Sequence, residues 1–387
     1  MKRRDFIKSL AASLVLFQPT SFASELLSSN NKIPQNSLST DKKIIWVVLR
    51  GAMDSLHTVV PTFDKNLPLL RPKLFSSIKD NLLMLDNRYG LHPSLQSMHQ
   101  WYKNKELMPI VAVSSGYKKR SHFDGQDFLE SGLKAINFDS GWLGRAVDIK
   151  AKSALALANS MPISLRSSKL AKTWYPSRLK DADDDIYNSL LKMYQNDKVL
   201  QQRLTEGVSV QEMAGSMGNS TKRKGKFIEL SKACAKLMSG KNGVDCAMLE
   251  LGGWDTHNNQ ASRLKRQLSE LDHGLTALKT GLHDQWQNTV VIVATEFGRT
   301  AKENGTGGTD HGTASAMFLA GGAIKGGKVL GNWPGLKNQQ LFEQRDLMPT
   351  TNTFSWLASL LAQHWSFNDE QLSVVFPQVK KQKIILV

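Results

Sequence analysis

The sequence predicts a three-layer α/β/α domain with a mostly parallel central sheet, and three observations predict it. Continuous β-favouring runs recur along the chain, as strands buried on both faces do. Amphipathic helical patterns lie between them, which is the alternation of an α/β architecture. The loops that follow three of the runs gather glycine, carboxylate and imidazole groups, at the strand ends where a parallel sheet builds its ligand site.

Taken in order, the chain opens on Lys2-Arg3-Arg4-Asp5-Phe6-Ile7-Lys8, a twin-arginine core, followed by an apolar run from Leu10 to Phe17 that Gln18 and Pro19 end. Ser21-Phe22-Ala23 then offers small residues three and one before a cut. A spanning helix needs about 20 apolar residues, so residues 1–23 read as a cleavable twin-arginine signal peptide and not as a stable membrane anchor. The expected destination is the periplasm or another exported location. Residues 24–41, rich in Ser and Asn, read as a flexible leader, and 42–387 as the folded domain.

Ile44 to Leu49 is the first predicted strand, ending in Arg50-Gly51. Met108 to Ser114, Val244 to Leu251 and Thr289 to Thr295 are the next three. From Ala261 to Leu282, Leu264, Leu268, Leu271, Leu275 and Leu278 fall at steps of three and four, which predicts an amphipathic helix. Residues at about 167–243 are polar and poor in β-branched runs, with an acidic stretch from Asp181 to Asp185, and read as a helical insertion. Met317 to Leu319 with Val329-Leu330 suggests a later strand and hairpin, and Phe354 to Trp365 a C-terminal helix.

With 387 residues and 41% hydrophobic content the chain can bury a large core. Its formal charge of +16, from 50 Lys plus Arg against 34 Asp plus Glu, favours an anionic small-molecule or polymer substrate through steering. The lysines are spread out, and the one dense cluster, Lys222-Arg223-Lys224-Gly225-Lys226, has no interleaved aromatics, so no nucleic-acid partner is expected. Cys234 and Cys246 both sit among apolar neighbours and read as two buried thiols rather than a disulfide.

The chemistry concentrates after the strands. The first is followed by Arg50-Gly51-Ala52-Met53-Asp54, the third by Gly252-Gly253-Trp254-Asp255-Thr256-His257, and the fourth by Glu296-Phe297-Gly298-Arg299; a glycine-rich loop then delivers Gly307-Gly308-Thr309-Asp310-His311-Gly312. An Asp and a His two apart in a loop can converge on one ion, and mixed nitrogen and oxygen ligands suit zinc or manganese better than calcium. Each feature also has a plainer reading. Asp54 and Asp255 could cap helices, His257 could be a hydrogen-bonded loop histidine, and Ser121 fits the N-cap of a capping box with Asp124.

Five blocks, Arg50 to Asp54, Arg120 to Asp124, Gly252 to His257, Glu296 to Thr300 and Thr309 to Gly312, resemble the signature of a large bacterial family. Its members are twin-arginine-exported proteins of unknown function in the alkaline phosphatase and sulfatase superfamily. The resemblance implies an alkaline-phosphatase-like fold and a divalent metal held by Asp255, His257 and His311, with Asp54 and Glu296 at a second position. That superfamily usually has an Asp-His pair where this chain has Glu296-Phe297, so one metal is expected rather than two. Ser121 is then the candidate nucleophile, and Arg50 and Arg299 the candidate clamps for anionic oxygens. An ion pair of either arginine with Glu296 or Asp54 is the alternative. Two functions follow: a metal-dependent hydrolase of phosphate or sulfate esters, or a non-catalytic exported scaffold that binds a polymer or an exported partner protein.

Overall fold

The computed structural model describes residues 42–176, 184–214, 227–240 and 243–387. The expected signal peptide and leader and the basic loop from Lys222 to Lys226 lie outside the described residues, as do Asp181 to Asp183 of the acidic stretch. Eleven strands are described: β1 Lys43–Arg50, β2 Val59–Pro61, β3 Leu83–Met84, β4 Tyr89–Leu91, β5 Leu107–Ser114, β6 Ala154–Ala156, β7 Ala171–Thr173, β8 Cys246–Gly252, β9 Thr289–Thr295, β10 Ser315–Ala320 and β11 Thr351–Asn352. Eight of them form one sheet in the order β11-β5-β10-β9-β1-β8-β6-β7, and β2, β4 and β3 form a small second one. β1 runs parallel to both β8 and β9. β10 lies antiparallel to β5 and β9 and is the reversed strand of an otherwise parallel sheet.

The strand period of two divides β1 between two cores. Ile45, Val47 and Leu49 join the layer that holds Leu264, Leu268, Leu271, Leu275 and Leu278 of the helix Gln260–Leu282. Ile44, Trp46 and Val48 join the opposite layer, with Trp142, Leu143 and the helix Thr353–His364. All six β1 side chains are fully buried, each contributing about 1.5–3 kcal/mol of transfer free energy. A strand buried on both faces has no reason to alternate polar and apolar residues, and the sequence shows none. Cys234 and Cys246 are both buried and unpaired.

Two expectations are revised. The hairpin at Val329-Leu330 does not form. β11 pairs only with Val113 and Ser114, so the backbone of β5 upstream needs another partner. Leu330 supplies it, accepting from Val111 N at 2.9 Å and donating to Pro109 O at 2.9 Å. The segment 167–243 does carry helices, at Asp184–Met193, Lys198–Ala214 and Phe227–Ser239. Its two ends are core elements, however. β7 closes one edge of the main sheet, and Phe227–Ser239 lies on the long helix with Phe227, Cys234 and Met238 in the core.

Candidate metal centre

β1, with β9 on one side and β8 on the other, brings three loops together at the carboxyl ends of the strands. Gly51 lets them approach: its φ of +119° is open to glycine, and a Cβ there would stand 2.6 Å from the backbone nitrogen of Asp255. After β9 the chain from Gly298 to Thr300 pairs with the chain from Asp310 to Thr313, through Gly298 N to Thr313 O at 3.0 Å, Gly312 N to Gly298 O at 2.8 Å and Thr300 N to Asp310 O at 2.9 Å. This short ladder carries His311 to the end of the sheet. Gly308 lies against the His257 backbone, where a Cβ would stand 2.3 Å from its carbonyl.

The result is a cluster around one carboxylate oxygen. Asp255 Oδ1 lies 3.0 Å from His257 Nε2, 3.3 Å from His311 Nε2 and 3.4 Å from His122 Nε2. His257 Nε2 and His311 Nε2 are 2.9 Å apart. His122, Asp255 and His311 each offer one ligand atom, and these atoms lie within 4.8 Å of one another. In a tetrahedral zinc site with bonds of about 2.0–2.1 Å, neighbouring ligand atoms stand about 3.3 Å apart, near the 3.0–3.4 Å from Asp255 Oδ1 to each imidazole Nε2.

The far nitrogen of each ring decides what the near one can do. His122 Nδ1 meets Glu296 Oε1 at 2.7 Å, His257 Nδ1 meets Asp310 Oδ1 at 3.1 Å, and His311 Nδ1 meets the Arg120 carbonyl at 2.9 Å. Carboxylates and carbonyls only accept, so each Nδ1 donates, and a ring without a second proton turns its Nε2 lone pair toward Asp255. His122 Nε2 is buried, and Asp255 Oδ1 stands 3.4 Å from it. Three ring nitrogens thus lie around one carboxylate oxygen, a donor set that suits a cation.

Electrostatics separates the rings. Burial opposes charge on His122, but its hydrogen bond to Glu296 and the two nearby carboxylates outweigh burial and raise its pKa. On His311 burial prevails over the bond to Arg120 and lowers it. Burial works against the Asp255 carboxylate too, yet the bond from Arg299 holds its pKa below the usual range.

The other sequence candidates have different surroundings. Glu296 is buried, and its Oε1 accepts from Gly51 N at 2.8 Å and Gln126 Nε2 at 3.0 Å besides His122, so it fixes a histidine. Asp54 stands outside the cluster. Its carboxylate takes both bonds from Arg71 Nη1, at 2.7 and 2.9 Å, and one from Gln260 Nε2 at 2.6 Å. Arg299 is buried and spends its fork on Asp255 Oδ1 at 2.8 Å and Thr309 O at 2.6 Å. Arg50 binds Glu250, Glu130 and Gln126, each within 2.8 Å. Neither arginine pairs with Glu296 or Asp54. Ser121 is the N-cap of the helix His122–Ser131, with Oγ 3.5 Å from Asp124 N. His122, absent from the sequence-derived ligand set, joins the cluster around Asp255. The available signal was its place next to Ser121 at a helix start.

No curated protein matches the chain. Among solved structures it is similar to the C-terminal periplasmic domain of EcEptC from Escherichia coli in complex with Zn, at 7% identity and a TM-score of 0.38 over 72% of each chain. An alkaline phosphatase from the Antarctic bacterium TAB5 gives 15% identity and a TM-score of 0.34, over 72% of this chain and 91% of that one. A 2-O GAG sulfatase gives 9% and 0.39, over 89% and 76%. The match to a family is of another order: residues 41–375 fit one sequence family throughout, and the chain belongs to that family, the proteins of unknown function designated DUF1501.

Proposed function

We propose that this protein is an exported metal-dependent hydrolase of phosphate or sulfate esters, with one zinc or manganese ion held by Asp255, His257, His311 and His122. The observation that supports the reading is the convergence of three imidazole lone pairs on one carboxylate oxygen, each ring fixed from behind by an acceptor. Without a cation that arrangement brings acceptors together with nothing between His257 and His311 to share. When bound, the metal would lower the pKa of a coordinated water and draw charge from an ester oxygen.

The protein's own groups divide the remaining work. Glu296, Asp310 and the Arg120 carbonyl orient the rings. Ser121, next to His122 at the helix start, remains the candidate nucleophile, and the first-turn amides favour an anion there. Asp54 is left out of the ligand set in this reading, because Arg71 neutralises it. Arg50 and Arg299 act as ion-pair partners of protein carboxylates instead of clamps. The basic charge favours an anionic small-molecule or polymer substrate. No helix among the described residues is long and apolar enough to cross a membrane. Export through the twin-arginine route rests on Arg3-Arg4 and the run after them, and replacing both arginines by lysine should trap the precursor in the cytoplasm.

Elemental analysis after incubation with zinc or manganese, joined to turnover of p-nitrophenyl phosphate and p-nitrophenyl sulfate, tests the proposal. About one metal per chain with metal-dependent turnover supports it, and well under one metal per chain sinks it. The committed arginines favour a second reading, an exported scaffold whose metal serves stability. One metal with no turnover on either ester would establish that reading instead.

A further inference from the structure

The block from Arg120 to Asp124 contains a side chain that the proposed chemistry leaves unused, the Arg120 guanidinium. We infer that Arg120 is a positioning residue of the metal centre, anchored by its side chain to Asp346 so that its carbonyl holds the His311 ring. The inference rests on the metal-centre reading given above. Arg120 has a φ of +59°, in the left-handed region that residues with side chains avoid. That turn aims its carbonyl oxygen at His311 Nδ1, 2.9 Å away. The guanidinium reaches Asp346 Oδ2 from Nε at 3.0 Å and from Nη2 at 2.8 Å, and also pairs with Glu343.

Asp346 is fully buried, and the same Oδ2 accepts from the Thr313 hydroxyl at 2.8 Å. Thr313 lies two residues beyond His311. The contacts therefore close a circuit, from Asp346 through the Arg120 side chain to its carbonyl, across to His311, along the chain to Thr313 and back. His122 and His257 lean on carboxylates, whereas His311 leans on a neutral carbonyl. A neutral acceptor pulls less on the N–H, so the aim of the ring depends more on where the chain holds that carbonyl. Two residues past Arg120 comes His122, so one anchored residue adjusts two ligands.

Zinc alone is the probe, its Kd read by competition against a chromophoric chelator on the purified full chain, with the melting temperature of the metal-free protein alongside. Arg120→Gly removes the anchor while leaving a residue at ease in the left-handed turn. The expected result is zinc binding weaker by about tenfold or more, the range found when a partner behind a metal-bound histidine is lost. Arg345→Ala is the control, since Arg345 Nη1 pairs with the other oxygen of Asp346 at 3.1 Å and lies outside the run of contacts from Arg120 to His311. It should leave the zinc Kd within twofold. Should Arg120→Gly fail to fold, Arg120→Lys keeps a charge for Asp346 without the two-nitrogen grip, and a loss of several-fold is expected. Zinc binding within twofold of wild type in the folded Arg120 variant overturns the inference, as does an equal loss in Arg345→Ala. A wild type that holds no zinc overturns the metal-centre reading itself, and the inference with it.

Discussion

Asp54 and Asp255 follow neighbouring central strands, each with a histidine nearby in sequence, and the fold puts them to opposite uses. The Asp54 carboxylate is 1% exposed and pairs with Arg71, also 1% exposed; the Asp255 carboxylate is 43% exposed and meets three imidazoles as well as Arg299. Both oxygens of Asp54 are supplied with donors. Around Asp255 acceptors outnumber donors. A carboxylate at a strand end is closed in or left open according to what the rest of the chain packs around it, and for Asp54 that is an arginine 17 residues on.

The largest expected effect breaks the buried side of this contrast. Arg71→Met strands the Asp54 charge, and losing one partner of a buried pair costs about 3–5 kcal/mol. The urea midpoint should fall accordingly, while the zinc content of the folded fraction stays as in wild type. A parallel loss of zinc would mean that the two regions are one site.

Acid should act on the same side nearly as strongly. Burial, reinforced by Arg71, depresses His57 to about 4 from its ordinary 6.5, although Asp54 pulls the other way. Between those two values the unfolded chain binds a proton that the folded chain does not, so stability falls as pH drops from 6.5 toward 4, by on the order of 3 kcal/mol for this residue. Urea unfolding of the chelated protein should show that slope, and His57→Leu should flatten it. An unchanged slope in the variant would assign the acid sensitivity elsewhere, His92 being the next candidate because burial lowers it to about 3.

On the exposed side, His311→Ala should weaken zinc by at least about a hundredfold, equivalent to about 2.8 kcal/mol. The melting temperature of the metal-free protein should change little. Asp54→Asn sharpens the comparison, since it should destabilise the fold and leave the zinc Kd alone. The smallest effect is at Ser121, where removing the N-cap costs about 1 kcal/mol. Ser121→Ala should retain its metal and lose any turnover; retained turnover would remove Ser121 from the chemistry.

The layers of the fold were legible because their signals are local. Continuous apolar runs announced β1, β5, β8 and β9, and the leucine stripe announced the helix Gln260–Leu282, all within a residue or two. That Asp255, His257 and His311 would come together was legible as well, because a parallel sheet gathers its loops at the strand ends whatever the connections are. His122 was hidden by its own block, whose capping signal already accounted for the residues around it. Val329-Leu330 misled for a similar reason, since a short apolar pair does not say which strand it will satisfy.

The sequence by itself determined that strands and helices alternate, which faces are apolar, and which loops carry ligand-type residues, since all of these depend on neighbours a few positions apart. Only the tertiary structure decided which charges meet. Arg71 reaches Asp54, Arg299 reaches Asp255 across 44 positions, and Glu296 reaches His122 across 174. Those pairings carry no periodic trace, because each is set by where whole strands and loops pack. They are nonetheless what leaves three imidazole lone pairs facing one carboxylate oxygen.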